Sequence, residues 1–234
     1  MPEHIGLLGG IGPAATDYYY RRIISAFAAD SLPLELTIVH ADTPTLLGHL
    51  ETGNAGRQVQ IYARLTERLA AAGADLVAVT SIAGHFCIED FKAVSPLPVV
   101  DLIESVDRAA TDRSLGRVGI LGTETVMRSR FYAGLRTAEV IAPPDTLIED
   151  VHQAYVSMAA AGTVNDTQRD VFDAACTWFL DAGGVDAVML GGTDLALVYT
   201  EAACAFPILD CAAIHADAVV SRACAPASER ENRR

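Results

Sequence analysis

Two stretches of this chain repeat one another, and the repeat narrows the possible folds more than anything else in the sequence. Ala74-Asp75-Leu76-Val77-Ala78-Val79-Thr80-Ser81 and Val185-Asp186-Ala187-Val188-Met189-Leu190-Gly191-Gly192 each run Asp, four mostly apolar residues, then a small-residue loop. A second pair, Gly6-Leu7-Leu8-Gly9-Gly10 and Gly119-Ile120-Leu121-Gly122-Thr123, repeats at nearly the same spacing: 113 residues from Gly6 to Gly119, 111 from Ser81 to Gly192. Two matched pairs at one offset imply two similar halves.

Each half alternates short apolar runs with amphipathic stretches. The runs Ile5–Leu8, Leu36–His40, Leu76–Val79, Val99–Val100, Val118–Leu121, Val140–Ile141, Ala187–Leu190 and Ile208–Leu209 read as strands. Helical spacing covers Ala14–Ala29, Ala55–Ala72, Ile103–Ala110, Ser129–Arg136, Ile148–Ala161, Thr167–Ala182 and Cys211–Ala223. Continuous β-branched and apolar runs suit strands buried on both faces, hence parallel sheets with helical crossovers. The expected class is α/β: two pseudo-symmetric Rossmann-like or flavodoxin-like halves, residues 1–98 with 207–234 and residues 99–206. Parallel sheets bind ligands beyond the carboxyl ends of their strands, so facing halves would bring four loops to one cleft.

Composition removes several classes. The formal net charge of −13 argues against a nucleic-acid or anionic-membrane surface, and no run of about 20 apolar residues offers a membrane span. The polar start Met1-Pro2-Glu3-His4 and the short run after it make a poor signal peptide, so the cytoplasm is expected. The five cysteines, Cys87, Cys176, Cys204, Cys211 and Cys224, form no C-x-x-C pair, which suits free thiols. No metal-ligand spacing stands out. The tail Ser228–Arg234 is expected to fray.

The loop Gly9-Gly10-Ile11-Gly12-Pro13-Ala14-Ala15-Thr16 allows a dinucleotide reading, since Gly10-x-Gly12-x-x-Ala15 follows a strand. With the following aromatic-Arg helix it more closely resembles the opening of aspartate racemases. Gly119-Ile120-Leu121-Gly122-Thr123-Glu124-Thr125-Val126-Met127 is similar to a second family turn. The Ser81 and Gly192 loops resemble the two catalytic loops of the aspartate/glutamate racemase superfamily, where both positions are normally cysteine. The second loop, Leu190-Gly191-Gly192-Thr193-Asp194, looks like the family's Leu-Gly-Cys-Thr-Glu with Cys lost and Glu shortened to Asp.

The resemblance implies cofactor-independent chemistry at the carbon alpha to a carboxylate or carbonyl, with no cofactor and a small carboxylic acid as substrate. Ser81, or Thr80 after a one-residue slip, stands at the first catalytic position, with Gly192 at the second and Asp194 and His85 as further candidates. Gly10, Thr43, Ser81, Ile82, Thr123, Thr125, His152 and Thr193 are the expected substrate-binding residues; Thr123 and Thr125 could equally serve only as helix caps. A thiolate can be poised near neutral pH, serine needs a strong base partner, and glycine offers nothing. The implied reaction is therefore a one-base isomerase or lyase step. The alternatives are a genuine racemase with non-cysteine bases and a non-catalytic ligand-binding member. The segment His40–Thr45 lacks the family's arginine, and no lysine stands near Gly162, so a substrate less charged than aspartate is expected. The family habit implies a homodimer.

Overall fold

The computed structural model describes residues 1–200 and 203–226. The tail singled out above lies outside them. The chain divides into two compact units, residues 1–102 with 215–234 and residues 103–214.

The first unit holds a four-stranded parallel sheet of order β2-β1-β3-β4, with β1 at Ile5–Gly9, β2 at Leu36–His40, β3 at Leu76–Val79 and β4 at Val99–Val100. The second holds β6-β5-β7-β8 in the same arrangement: β5 at Arg117–Gly122, β6 at Glu139–Ile141, β7 at Ala187–Gly191 and β8 at Ile208–Asp210. All eight expected strands form. Every residue of β1, β3 and β7 is buried, the condition that made their unbroken apolar runs legible. Each fully buried Leu, Ile or Val contributes roughly 1.5–3 kcal/mol, so these three strands anchor the two cores. Because β8 hydrogen-bonds to β7, the return to the first unit falls after it, at His215, later than residue 207.

Helices cover the sheets: α1 at Pro13–Ala29, α2 at Thr43–Glu51, α3 at Ala55–Ala71, α4 at Ile88–Val94, α5 at Leu102–Asp112, α6 at Glu124–Arg128, α7 at Asp145–Ala161, α8 at Asp166–Trp178 and α9 at Cys211–Cys224. The amphipathic spacing of α3 buries Gln58, Tyr62, Leu65, Thr66 and Leu69 on one face, and Asn54 caps it by accepting from the Arg57 N–H. Helix α8 starts on a full capping box between Asn165 and Gln168.

Two local readings change. The segment His40–Thr45, which stands in the place of a family loop, runs into α2 at Thr43–Glu51, because Asp42 accepts from Thr45 N–H at 3.0 Å and Pro44 presets the first turn. Residues 129–136, read as a helix, do not form one. Helix α6 ends at Arg128, and Arg130, Phe131, Tyr132 and Ala133 take positive φ of 51–58°. Left-handed backbone costs roughly 1–2 kcal/mol per residue without glycine. Complete burial of Phe131 offsets part of that cost.

Candidate functional site

The site residues of the first unit lie where β1 and β3 end. Gly10 takes a φ of +150°, and a Cβ there would stand 2.6 Å from Leu46 Cδ1 and 3.0 Å from the Ala41 carbonyl. Only glycine lets the loop lie this close to the start of α2. Thr43 then donates its hydroxyl to the Gly10 carbonyl at 2.5 Å, so these two expected binding residues meet. Beside them Asp42 keeps its carboxyl below the usual range, because the Thr45 hydroxyl and N–H both donate to it. A negative charge thus stands in the segment where a dicarboxylate would need a cation.

Thr80 is 1% exposed, donates to the Leu8 carbonyl at 3.4 Å and pairs with the Thr16 hydroxyl at 2.9 Å. It ties β3 to β1 and α1; Ser81 beside it is also buried. The neighbours hold Ser81 by its carbonyl, which accepts from His85 Nδ1 at 2.7 Å and from the Gly84 N–H at 3.1 Å. Among the described residues no histidine or carboxylate is hydrogen-bonded to its hydroxyl. Ile82 follows it, buried.

His85 is a brace in this geometry. It is 1% exposed, and its Nε2 has no partner among the described residues. Its ring meets His215 edge-on at 5.8 Å. His215 donates from Nε2 to the Val100 carbonyl at 2.8 Å and accepts at Nδ1 from the Tyr19 hydroxyl at 2.7 Å. Burial pushes both imidazoles below their ordinary range, His215 to about 3.

This pair has a consequence for stability. The unfolded chain takes up protons on these histidines as pH falls through about 6.5, whereas the native chain stays neutral there, so native stability is full above that pH and declines below it. For His215 the decline is about 1.4 kcal/mol per pH unit until its folded value of about 3 is approached. Urea unfolding at pH 7.0 and 5.5, where most carboxylates are still ionised, should show wild type weakening and the His215→Gln variant weakening less. Equal wild-type stability at the two pH values would contradict a neutral buried pair.

In the second unit, β5 and β7 are pressed together at their ends. Gly122 and Gly191 are register partners, and a Cβ on Gly191 would stand 2.6 Å from the Leu121 carbonyl. Thr123 and Gly192 therefore leave the sheet side by side. Thr123 caps α6 by accepting from the Val126 N–H at 3.4 Å, while its own O–H stays a donor. Thr125 is exposed within α6. The Glu124 N–H donates to His152 Nδ1 at 3.2 Å, which fixes that ring against the turn. Arg128 is taken up by Glu124 and Asp145 at 2.6 and 2.7 Å.

Gly192 and Asp194 share one neighbour that sequence reading passed over. Tyr155, one turn beyond His152 on α7, lays its ring against Gly192; a Cβ there would stand 2.5 Å from both its Cζ and its hydroxyl oxygen. The same hydroxyl donates to Asp194 Oδ2 at 3.1 Å. Burial, then the Asp194 charge, push the phenol above its ordinary range, so it stays a donor. The available signals were the three-residue spacing from His152 and a glycine where a side chain was expected. Thr193 and Asp194 are half-buried in the turn after β7.

The two positions that the resemblance assigns to cysteine hold Ser81 and Gly192. All five cysteines are free. Burial pushes Cys87 and Cys176 up to about 12, Cys211 well above its usual range, and Cys204 and Cys224 upward. None is a poised thiolate.

Comparison with known proteins places this arrangement. A model of the Asp/Glu/Hydantoin racemase family matches residues 8–219. The chain is 29% identical to a glutamate racemase of Geobacter metallireducens over 124 residues, 53% of this chain and 45% of that enzyme, so the match spans under half of the relative's length. An aspartate racemase homologue from Pyrococcus horikoshii superposes with a TM-score of 0.82 at 26% identity, covering 94% of this chain and 99% of that one. A Yersinia pestis structure with a provisional Asp/Glu racemase assignment gives 0.84 at 26%, with the same coverage. A glutamate racemase of Francisella tularensis, solved with D-glutamate, shares the fold at 0.67 and 16% identity, covering 99% and 82% of the two chains. The chain belongs to the Asp/Glu/hydantoin racemase family.

Proposed function

We propose that this chain is a cofactor-independent enzyme acting at the carbon alpha to the carboxylate or carbonyl of a small acid, by a one-base isomerase or lyase step without thiols. The observation that carries this reading is the second loop, where Asp194 holds a hydrogen-bonded carboxylate beside a position that has no side chain. Asp194 acts as the base. Thr123, in the same unit, is the group we assign to a substrate carboxylate. In the first unit Ser81, with its hydroxyl unclaimed by a base, is proposed as a hydrogen-bond donor rather than a nucleophile, with Gly10 and Thr43 as binding groups of that unit. The relatives' names point to amino acids as the parent substrate class. Arg128, one turn from Thr123 in the second unit, is already paired with Glu124 and Asp145, which instead favours a substrate with a single carboxylate.

A panel of amino acids, 2-oxo acids and substituted malonates, followed by NMR in heavy water, tests the preference. Deuterium exchange at the α-carbon is expected on a monocarboxylate bearing an apolar group, and not on the malonates. Faster turnover of aspartate or glutamate than of every other compound would overturn it. Silence on all of them, with binding still visible as shift changes, favours the second reading, a binding protein, for which Ser81's lack of a base partner also speaks.

A further inference from the structure

We infer that Tyr155 is the positioning residue of this site: its ring takes the space of a second reactive side chain, and its hydroxyl holds Asp194 for proton transfer. The inference rests on the function proposed above and assigns the role to a residue outside the two loops.

The two observations are independent. The first is steric. Gly192 is buried in extended backbone, a conformation open to any residue, so its identity is not set by φ. It is set by the phenol: Tyr155 Cε2, Cζ and the hydroxyl oxygen crowd the point where any Cβ would be. A side chain at 192 forces the Tyr155 ring to move. The second is polar. The Tyr155 hydroxyl is aimed from α7 at Asp194 Oδ2, 3.1 Å away, across the turn that Gly192 begins.

Together these make a loop with one carboxylate, one fixed orientation and no second group. A hydrogen bond from the phenol leaves the other carboxylate oxygen, Oδ1, for the reacting carbon. In the step we assign, Asp194 Oδ1 takes the α-proton while the C–H electron pair moves into the substrate's carbonyl or carboxylate as an enolate. The return step brings that pair back to carbon, which receives a proton from the Asp194 carboxyl after exchange with solvent. Protons and charge balance, and Tyr155 keeps its own proton throughout. Removal and return use the same group, so label enters with retention of configuration.

The test is Tyr155→Phe, which keeps the ring and removes the hydroxyl. On whichever panel compound the wild type exchanges, kcat should fall about 100-fold with KM unchanged, while the thermal midpoint stays near that of the wild type. A chiral compound should exchange in the wild type without losing optical purity. A residue that only fills space would leave kcat within threefold, and that result, in an active wild type, would overturn this inference and leave the proposed function standing. Wild-type silence on the panel would overturn the proposed function and the proton-transfer role with it. Should Tyr155→Phe not fold, ¹³C labelling of the Cζ of the seven tyrosines decides. One signal should shift between wild type and Asp194→Asn; no shift would overturn the inference.

Discussion

On the proposed function, Asp194→Asn should fold normally and lose about 1000-fold in the rate of α-proton exchange, at the centre of the range for removing a general base. The substitution is a close isostere. Asparagine keeps a carbonyl oxygen able to accept from the Tyr155 hydroxyl, so the turn after β7 retains its hydrogen bond. What disappears is the negative charge, and with it the ability to remove a proton. Nothing else among the described residues of this loop can substitute: Gly192 has no side chain, and Thr193 has a hydroxyl without a base. Circular dichroism with heavy-water exchange checks both halves of the expectation. A rate within tenfold of wild type would move the base elsewhere.

Gly192→Cys destabilises the protein by about 2–3 kcal/mol, the upper range for overpacking a close-packed site. The new Cβ has nowhere to go, because the Tyr155 ring fills its position and the strand below is fixed by the Gly122–Gly191 pairing. Either the phenol swings away, breaking its bond to Asp194, or the turn shifts. Adding Tyr155→Ala opens the space, so the double variant should recover stability relative to the sum of the two single losses, a coupling that urea unfolding of all four proteins measures. Additive losses would mean that the two positions do not compete.

The fold was legible because its information is local and repeated. Unbroken runs such as Leu76–Val79 and Ala187–Gly191 announce strands buried on both faces, and their duplication announces two sheets of one topology. The failures are also physical. Residues 130–133 wind left-handed without glycine, held by buried Phe131, which no propensity reveals. Helix α2 hides behind an aspartate whose capping role is visible only once Thr45 is seen to donate to it. Around the proposed site residues, the sequence named candidates but not their contacts. His85 looked like an acid–base candidate, yet it spends Nδ1 on the Ser81 carbonyl and lies against His215. The sequence left Thr80 and Ser81 as alternatives; the structure shows the Thr80 hydroxyl bonded to Thr16 and Leu8. Tyr155 was passed over because its significance lies in a contact with a glycine far along the chain.

The most direct measurement is solvent deuterium incorporation by the unmodified protein, followed by NMR on a chiral small acid chosen from the panel, with optical purity read in parallel. Incorporation at the α-carbon with retained configuration, unaffected by a thiol-alkylating reagent, is the predicted result. Racemisation at the rate of exchange, or loss of activity on alkylation, would contradict a one-base, thiol-free site.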